Sequence, residues 1–254
     1  MDILSLITDT DAEPRPRRVL LYGSHGIGKS TFAACAPNPI FVRTEDGARD
    51  IKGAKTFPLC KSFAEAWQQV DALKRGEHEF KTLAIDSADW LERLVFRQVC
   101  ADAGKESISD IGGGFGKGQD KAAELMNLFL DQLSEVNESR NLMVIVLAHA
   151  KVERYENPAI GAYDRYTPKL DKRINGVIQE WADEVLFANY KVYVKSDGKH
   201  FGEEKKLGIG GTERVIYTTE KPSHMAKNHL GLPEELPLAF SSYWDAVKVA
   251  KAAV

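Results

Sequence analysis

The chain has 254 residues, 43% apolar and 28% charged, with a formal net charge of −3. That length can bury a sizeable core, and the near-neutral charge excludes a surface that is basic all over, so nucleic-acid contact must come from local loops. Cys35, Cys60 and Cys100 lack CxxC or Cys/His spacing, which reads as reduced thiols of a cytosolic protein without structural zinc; no apolar run reaches the ~18 residues of a membrane span.

Asp2 to Ile7 is a short amphipathic piece, cut off by Glu13-Pro14-Arg15-Pro16, where a helix cannot continue. Residues 1–17 are therefore expected to form an arm, with Ile3, Leu4 and Ile7 available to dock on a neighbouring copy. An apolar strand, Val19 to Tyr22, leads into Gly23-Ser24-His25-Gly26-Ile27-Gly28-Lys29-Ser30, the complete GxxxxGK[ST] loop. Its glycines let successive N–H groups turn inward around phosphates, Lys29 can reach the β- and γ-phosphates, and Ser30 can ligate Mg²⁺. A helix over Thr31 to Cys35 points its positive end at the same anion. Gly23 to Thr31 are the nucleotide-binding candidates.

Ile40 to Thr44 reads as a second buried strand, followed by Glu45-Asp46-Gly47. Glu45 can orient and deprotonate the water that attacks a γ-phosphate; the plainer alternative is a solvated loop acid. The spacing of Phe63, Ala66, Trp67, Val70 and Leu73 predicts a helix from Ser62 to Lys74. Thr82 to Ile85 is a third strand, closed by Asp86, a candidate Mg²⁺ ligand with Ser30 or else a helix cap. A helix from Trp90 to Cys100, a glycine-rich loop through Gly118 and a helix from about Ala122 to Val136 follow.

Leu142 to Ala148 is a continuous apolar run, the pattern of a central parallel strand covered on both faces. His149 ends it, where a polar group can sense the γ-phosphate and pass its presence onward. Lys151 to Arg173 is polar without apolar periodicity and is expected to be a functional loop. Val185 to Val194 and Arg214 to Thr218 read as strands joined by the charged segment Lys195 to Gly211, and Tyr243 to Val254 as a helix. No Asn-Lys-x-Asp guanine signature occurs, so ATP is the expected nucleotide. Alternating strands and helices imply an α/β fold with a mostly parallel sheet.

The order of phosphate loop, Glu-ended strand, Asp-ended strand and His-ended strand followed by a long loop resembles the RecA-like ATPase core. Gly112-Gly113-Gly114-Phe115-Gly116-Lys117-Gly118 and Ala226-Lys227-Asn228-His229 narrow the likeness, over roughly residues 18 to 240, to the RecA-like phage proteins of the Sak group. These are phage AAA-type ATP-binding or single-strand annealing proteins. The resemblance implies a RecA-like P-loop NTPase core from 18 to 254, with helices flanking the sheet and a C-terminal antiparallel strand extension. It also implies an ATPase using ATP and Mg²⁺, with Lys29, Glu45, His149 and Lys227 as catalytic candidates.

By the same likeness, two loops, 105–119 and 151–173, would hold single-stranded DNA. Their candidate contacts are Phe115, Lys117, Lys151, Arg154, Tyr163, Arg165, Tyr166 and Lys169, a mixture suited to backbone phosphates and base stacking. Glu153, Glu156, Asp164 and Asp171 leave a solvated surface loop open as the alternative. Lys227, with Arg214, would reach the nucleotide of a neighbouring subunit in a ring or filament. Two departures stand out: His149 replaces RecA's glutamine, and Lys-Asn-Lys reads Lys227-Asn228-His229. The expected function is an ATP-dependent single-stranded DNA-binding recombination protein of the host cytoplasm, with no membrane partner and with a single-strand binding protein as a candidate further partner. The alternative is a stand-alone phage ATPase, a helicase loader or motor subunit, whose loops bind a protein. A small-molecule kinase fits less well, because no arginine-rich lid is present.

Overall fold

The computed structural model describes residues 15–47, 54–200 and 203–252, with backbone alone for 193–200 and 203–210. The amphipathic piece from Asp2 to Ile7 lies outside the described residues. Along the chain run β1 (Arg18–Gly23), α1 (Lys29–Ala34), β2 (Pro39–Arg43), β3 (Lys55–Thr56), α2 (Phe63–Arg75), β4 (Thr82–Asp86) and α3 (Ala88–Asp102). A 3₁₀ turn at Ile108–Gly113 leads to α4 (Lys117–Ser139), β5 (Met143–Asn157), β6 (Gly161–Pro168) and α5 (Lys172–Trp181). The chain continues through β7 (Glu184–His200), β8 (Glu203–Tyr217), β9 (Lys227–Asn228), β10 (Glu235–Pro237) and α6 (Phe240–Ala252).

The central sheet has the order β10-β8-β7-β1-β5-β4-β2-β3. Its strands from β7 to β3 are parallel, whereas β8 and β10 add antiparallel at one side. The fold is thus a mixed α/β layer with helices on both faces and an antiparallel C-terminal extension. Period-two alternation explains the unbroken apolar runs. Leu20 and Tyr22 of β1 and Val144 and Val146 of β5 point into the core under α2 to α5. Val19 and Leu21, with Ile145 and Leu147, point into the core under α1 and α6. Among the described residues no helix is long and apolar enough to cross a membrane.

Local chemistry sets the helix limits. Ser62 caps α2 by accepting from the Glu65 N–H at 3.2 Å, while the Glu65 carboxylate accepts from the Lys61 N–H at 2.7 Å, a near-reciprocal cap. Helix α4 starts at Lys117, five residues before the expected Ala122, because Gly116 at φ 79° supplies a left-handed N-cap.

Three sequence expectations are corrected. The segment Lys151 to Arg173 is no open loop: β5 runs on to Asn157 and pairs with β6, and α5 begins at Lys172. The alternation in this hairpin is of polar and aromatic residues, so it carries no apolar period. Helix α5 went unseen although Asp171 caps it, accepting from the Arg173 N–H at 2.9 Å, and Ile174, Val177, Ile178 and Trp181 mark one face. The charged stretch expected to connect two strands is itself strand, since β7 and β8 pair as a hairpin from Phe187↔Tyr217 out to His200↔Glu203.

Candidate functional site

Parallel register brings the carboxyl ends of β1, β2, β4 and β5 to one line. Gly23 lies opposite His149 on one side and Ala188 on the other, and Asp86 lies opposite Arg43 and Leu147. Strand β5 sits between the phosphate-loop strand and the Asp86 strand, which places His149 at the middle of the site. In open α/β sheets this edge is where ligands bind.

The glycines of the loop are required for separate reasons. A Cβ on Gly23 would lie 2.3 Å from the Ala188 carbonyl oxygen, and Gly28 adopts φ 113°, closed to other residues without strain. Lys29 is buried and its amine donates to the Gly23 and Ser24 carbonyls at 3.0 and 2.9 Å. Burial lowers its pKa, against the attraction of Asp86, Asp89 and Glu45. The Ser30 hydroxyl donates to Asp86 Oδ2 at 2.7 Å. Burial raises the Asp86 pKa although Ser30 and Lys29 oppose it. A serine hydroxyl beside a buried carboxylate short of positive charge is a hard-oxygen pair that fits Mg²⁺.

Glu45 is held beside this pair by the splicing of β2 to β4. The Thr44 and Glu45 N–H groups donate to the Asp86 carbonyl at 2.8 and 3.3 Å, and the Thr44 hydroxyl donates to the Ser87 carbonyl at 2.7 Å. Burial raises the Glu45 pKa, His149 pulls it down, and Asp86 and Asp89 push it up again.

His149 is the hub. Its Nδ1 lies 2.9 Å from Asp89 Oδ2, its backbone N–H donates to Asp89 Oδ1 at 3.1 Å, and its Nε2 faces Glu45 Oε1 at 4.0 Å. The ring stacks on His25 of the phosphate loop, with centroids 3.7 Å apart. Asp89 escaped the sequence reading: in the first turn of α3 it looks like an ordinary helix-dipole acid. Burial works to raise the Asp89 pKa, but the hydrogen bonds from His149 win and hold it below its ordinary value. Burial, then His149 and Lys29, lower that of His25. The only signal for Asp89 was its place, three residues after Asp86.

The structure separates the residues expected on DNA. In the β5–β6 hairpin, Lys151, Tyr155, Tyr163 and Arg165 share one face, whereas Val152, Arg154 and Tyr166 share the other. Arg165 lies over the Tyr155 ring at 3.8 Å and pairs with Glu220 at 3.0 Å. Tyr166 stacks on Phe187 with centroids 5.0 Å apart. Lys169 follows β6, its N–H donating to the His149 carbonyl at 2.7 Å. Phe115 is different: it is 97% exposed at φ 57°, amid positive-φ glycines and two residues before Lys117. Arg173 packs on Gly116 and pairs with Asp120 at 2.5 Å, so the glycine-rich loop abuts the start of α5, the helix that follows the hairpin.

The two cations expected to reach a neighbouring subunit are both engaged within their own chain. The Lys227 amine donates to the Gln179, Glu180 and Ala182 carbonyls at 2.9, 3.3 and 2.6 Å, capping the carboxyl end of α5. Arg214 Nη1 donates to the Ile27 carbonyl at 3.2 Å, against its own phosphate loop.

A phosphate loop at the edge of a parallel sheet, with Ser30 and Asp86 paired beside it, defines a P-loop nucleotide-binding protein. A family model described as an AAA domain matches residues 15–230, and the chain belongs to that family of nucleotide-hydrolysing ATPases. It is also similar to the SPbeta prophage-derived uncharacterized protein YorG of Bacillus subtilis (strain 168), 24% identical over 215 residues. That alignment takes in 83% of this chain, and the chain spans 58% of the relative's length.

Proposed function

We propose that this AAA ATPase is a phage protein that binds single-stranded DNA under the control of ATP and acts in recombination, by strand annealing or exchange, as a homo-oligomer. The observation that carries the reading is the contact between the phosphate loop and the hairpin: His25 stacks on His149, and β5 continues from His149 directly into the hairpin. Phe115, fully exposed beside Lys117, supports base stacking next to that hairpin.

In the hydrolytic step the loop N–H groups and Lys29 hold the phosphates. Ser30 and Asp86 would hold Mg²⁺, which supplies charge neutralisation on the phosphate oxygens. Glu45 takes a proton from the attacking water as the oxygen bonds to phosphorus and the bond to the leaving ADP oxygen breaks. Asp89 fixes the His149 ring, whose Nε2 faces the Glu45 carboxylate and registers its position. Movement of His149 is felt by the hairpin through the next residue.

One observation favours a second reading, in which the hairpin binds a protein. Its cations Lys151, Arg154 and Arg165 are matched by Glu153, Glu156 and Asp164, so it offers DNA no net positive charge. ATP turnover with and without single-stranded DNA decides between them. Stimulation, abolished in Phe115→Ala while basal turnover persists, supports the DNA reading. Absence of both stimulation and salt-sensitive DNA binding transfers the hairpin to a protein partner.

A further inference from the structure

Between Glu45 and His149 lies a gap that no hydrogen bond closes. His149 Nδ1 is 2.9 Å from Asp89 Oδ2, and the Asp89 carboxyl is held below its ordinary pKa, so it is the ionised partner that takes the Nδ1–H of the ring. In the neutral ring the lone pair then sits on Nε2, which faces Glu45 Oε1 from 4.0 Å. Two lone-pair carriers thus oppose each other beyond hydrogen-bond reach. Stacking on His25 holds the plane of the ring. Beside them stands Ser87, which is fully buried and whose Oγ has no well-formed hydrogen bond among the described residues. It is near enough to both Glu45 and Asp89 to favour the ionised form of each.

We propose that Glu45 and His149 form a binding site for a borderline divalent cation of the Zn²⁺ class, with Asp89 orienting the imidazole from behind and the Ser87 hydroxyl available to the cation's remaining shell. Glu45, Asp89 and His149 each offer a ligand atom within 4.8 Å of the others. Zn–N and Zn–O bonds of about 2.0 and 2.1 Å at a tetrahedral angle span about 3.4 Å, so a small swing of the partly exposed Glu45 side chain closes the gap onto the ion. A carboxylate behind the imidazole is the arrangement that orients metal-bound histidines and raises their basicity. The imidazole nitrogen also selects against Mg²⁺, which takes oxygen ligands in near-ideal octahedral geometry. The two cation sites therefore divide by chemistry: Ser30 and Asp86 suit Mg²⁺, and the Glu45–His149 pair suits Zn²⁺. A Zn²⁺ ion on Glu45 takes the lone pair that would accept the proton of the attacking water, so occupancy inhibits turnover. That consequence, unlike binding itself, rests on the reading of Glu45 as the base.

The test titrates Zn²⁺ into the full chain without nucleotide by calorimetry, and Co²⁺ by visible absorption, whose band reports the ligand set. Glu45→Gln and His149→Ala should each weaken the tightest Zn²⁺ site at least about tenfold, Asp89→Asn about tenfold, and Ser30→Ala less than about twofold. The Co²⁺ band should vanish in His149→Ala, and about a hundredfold excess of Mg²⁺ should leave it in place in the parent. Glu45→Gln is isosteric, so weaker binding there does not come from unfolding. Absence of Zn²⁺ binding, or an affinity unchanged in both Glu45→Gln and His149→Ala, overturns the site and leaves the catalytic reading of Glu45 standing. A loss in Ser30→Ala as large as in His149→Ala overturns it too, since the ion then occupies the Mg²⁺ pair. Zn²⁺ that binds through both residues yet leaves ATP turnover at the parental rate upholds the site and removes Glu45 from catalysis.

Discussion

The two ends of the sheet bury charge in opposite ways. At the amino ends of β1 and β7, Arg17 pairs with the fully buried Glu184, which also accepts from the Tyr243 hydroxyl at 3.2 Å. Arg18 pairs there with Asp183 at 3.1 Å. Each acid has a guanidinium in reach. At the carboxyl ends, Glu45, Asp86 and Asp89 share Lys29 and His149, and Lys29 gives its hydrogen bonds to backbone carbonyls. Burial raises the pKa values of Asp86 and Glu45, as it does that of Glu184, so the contrast lies in how many cations each set of acids has in reach. A closed set of pairs attracts nothing further and serves the fold. An under-neutralised set beside a phosphate loop suits a cation and a nucleotide, which is why the proposed chemistry sits at this end.

The largest expected effects break the carboxyl end. Lys29→Ala should abolish ATP binding, whereas Glu45→Gln should bind ATP normally and lose turnover by about 10²-fold or more, because it removes a base that acts only in the transition state. Turnover by Glu45→Gln at the parental rate would take the catalytic role from that residue. Its folding stability should stay within about 0.5 kcal/mol of the parent, since burial already penalises the charge it removes. Glu184→Ala should do the reverse. Stranding Arg17 without its acid should cost about 3–5 kcal/mol in urea unfolding, with ATP affinity intact in whatever fraction remains folded. Equal stability losses at the two ends would dissolve the contrast.

How much of this was legible in the sequence follows the same division. The phosphate loop, Asp86, Glu45 and His149 were readable because each closes or closely follows an apolar run, and parallel register brings the ends of those runs together. The sheet itself was readable wherever both faces are covered, as at Leu142 to Ala148. Asp89 was not, because its role depends on a hydrogen bond to a residue 60 positions away that local pattern cannot encode. The hairpin was not, because its alternation pairs tyrosine with tyrosine and arginine with aspartate, leaving no apolar period. Arg214 and Lys227 were expected to reach a neighbouring subunit, because the sequence shows them only as late cations. Their partners, the Ile27 carbonyl and the α5 terminus, lie far away in sequence and appear only with the fold.

The smallest effect sharpens the comparison at Glu92, which lies on α3 one turn beyond Asp89. Its Oε1 accepts from the Asp171 N–H at 2.6 Å, tying α3 to the start of α5 at the foot of the hairpin. Burial pushes its pKa up to about 7; the Asp171 N–H and Lys151 oppose this, while Asp171 and Asp89 add to it. The unfolded chain releases this proton near pH 4.5, so between about pH 4.5 and 7 the folded state holds the proton more tightly, and stability falls as pH rises through that window. Glu92→Gln keeps an oxygen for the Asp171 N–H and cannot ionise. It should match the parent near pH 4.5 and become progressively more stable than it, by about 1–3 kcal/mol, levelling off above pH 8. Urea midpoints at pH 5, 6, 7 and 8 measure the difference directly, with every other titrating group common to both proteins. Parallel curves would mean that Glu92 is neutralised as fully as the acids at the amino ends, and the division between the two ends would then stop at Asp89.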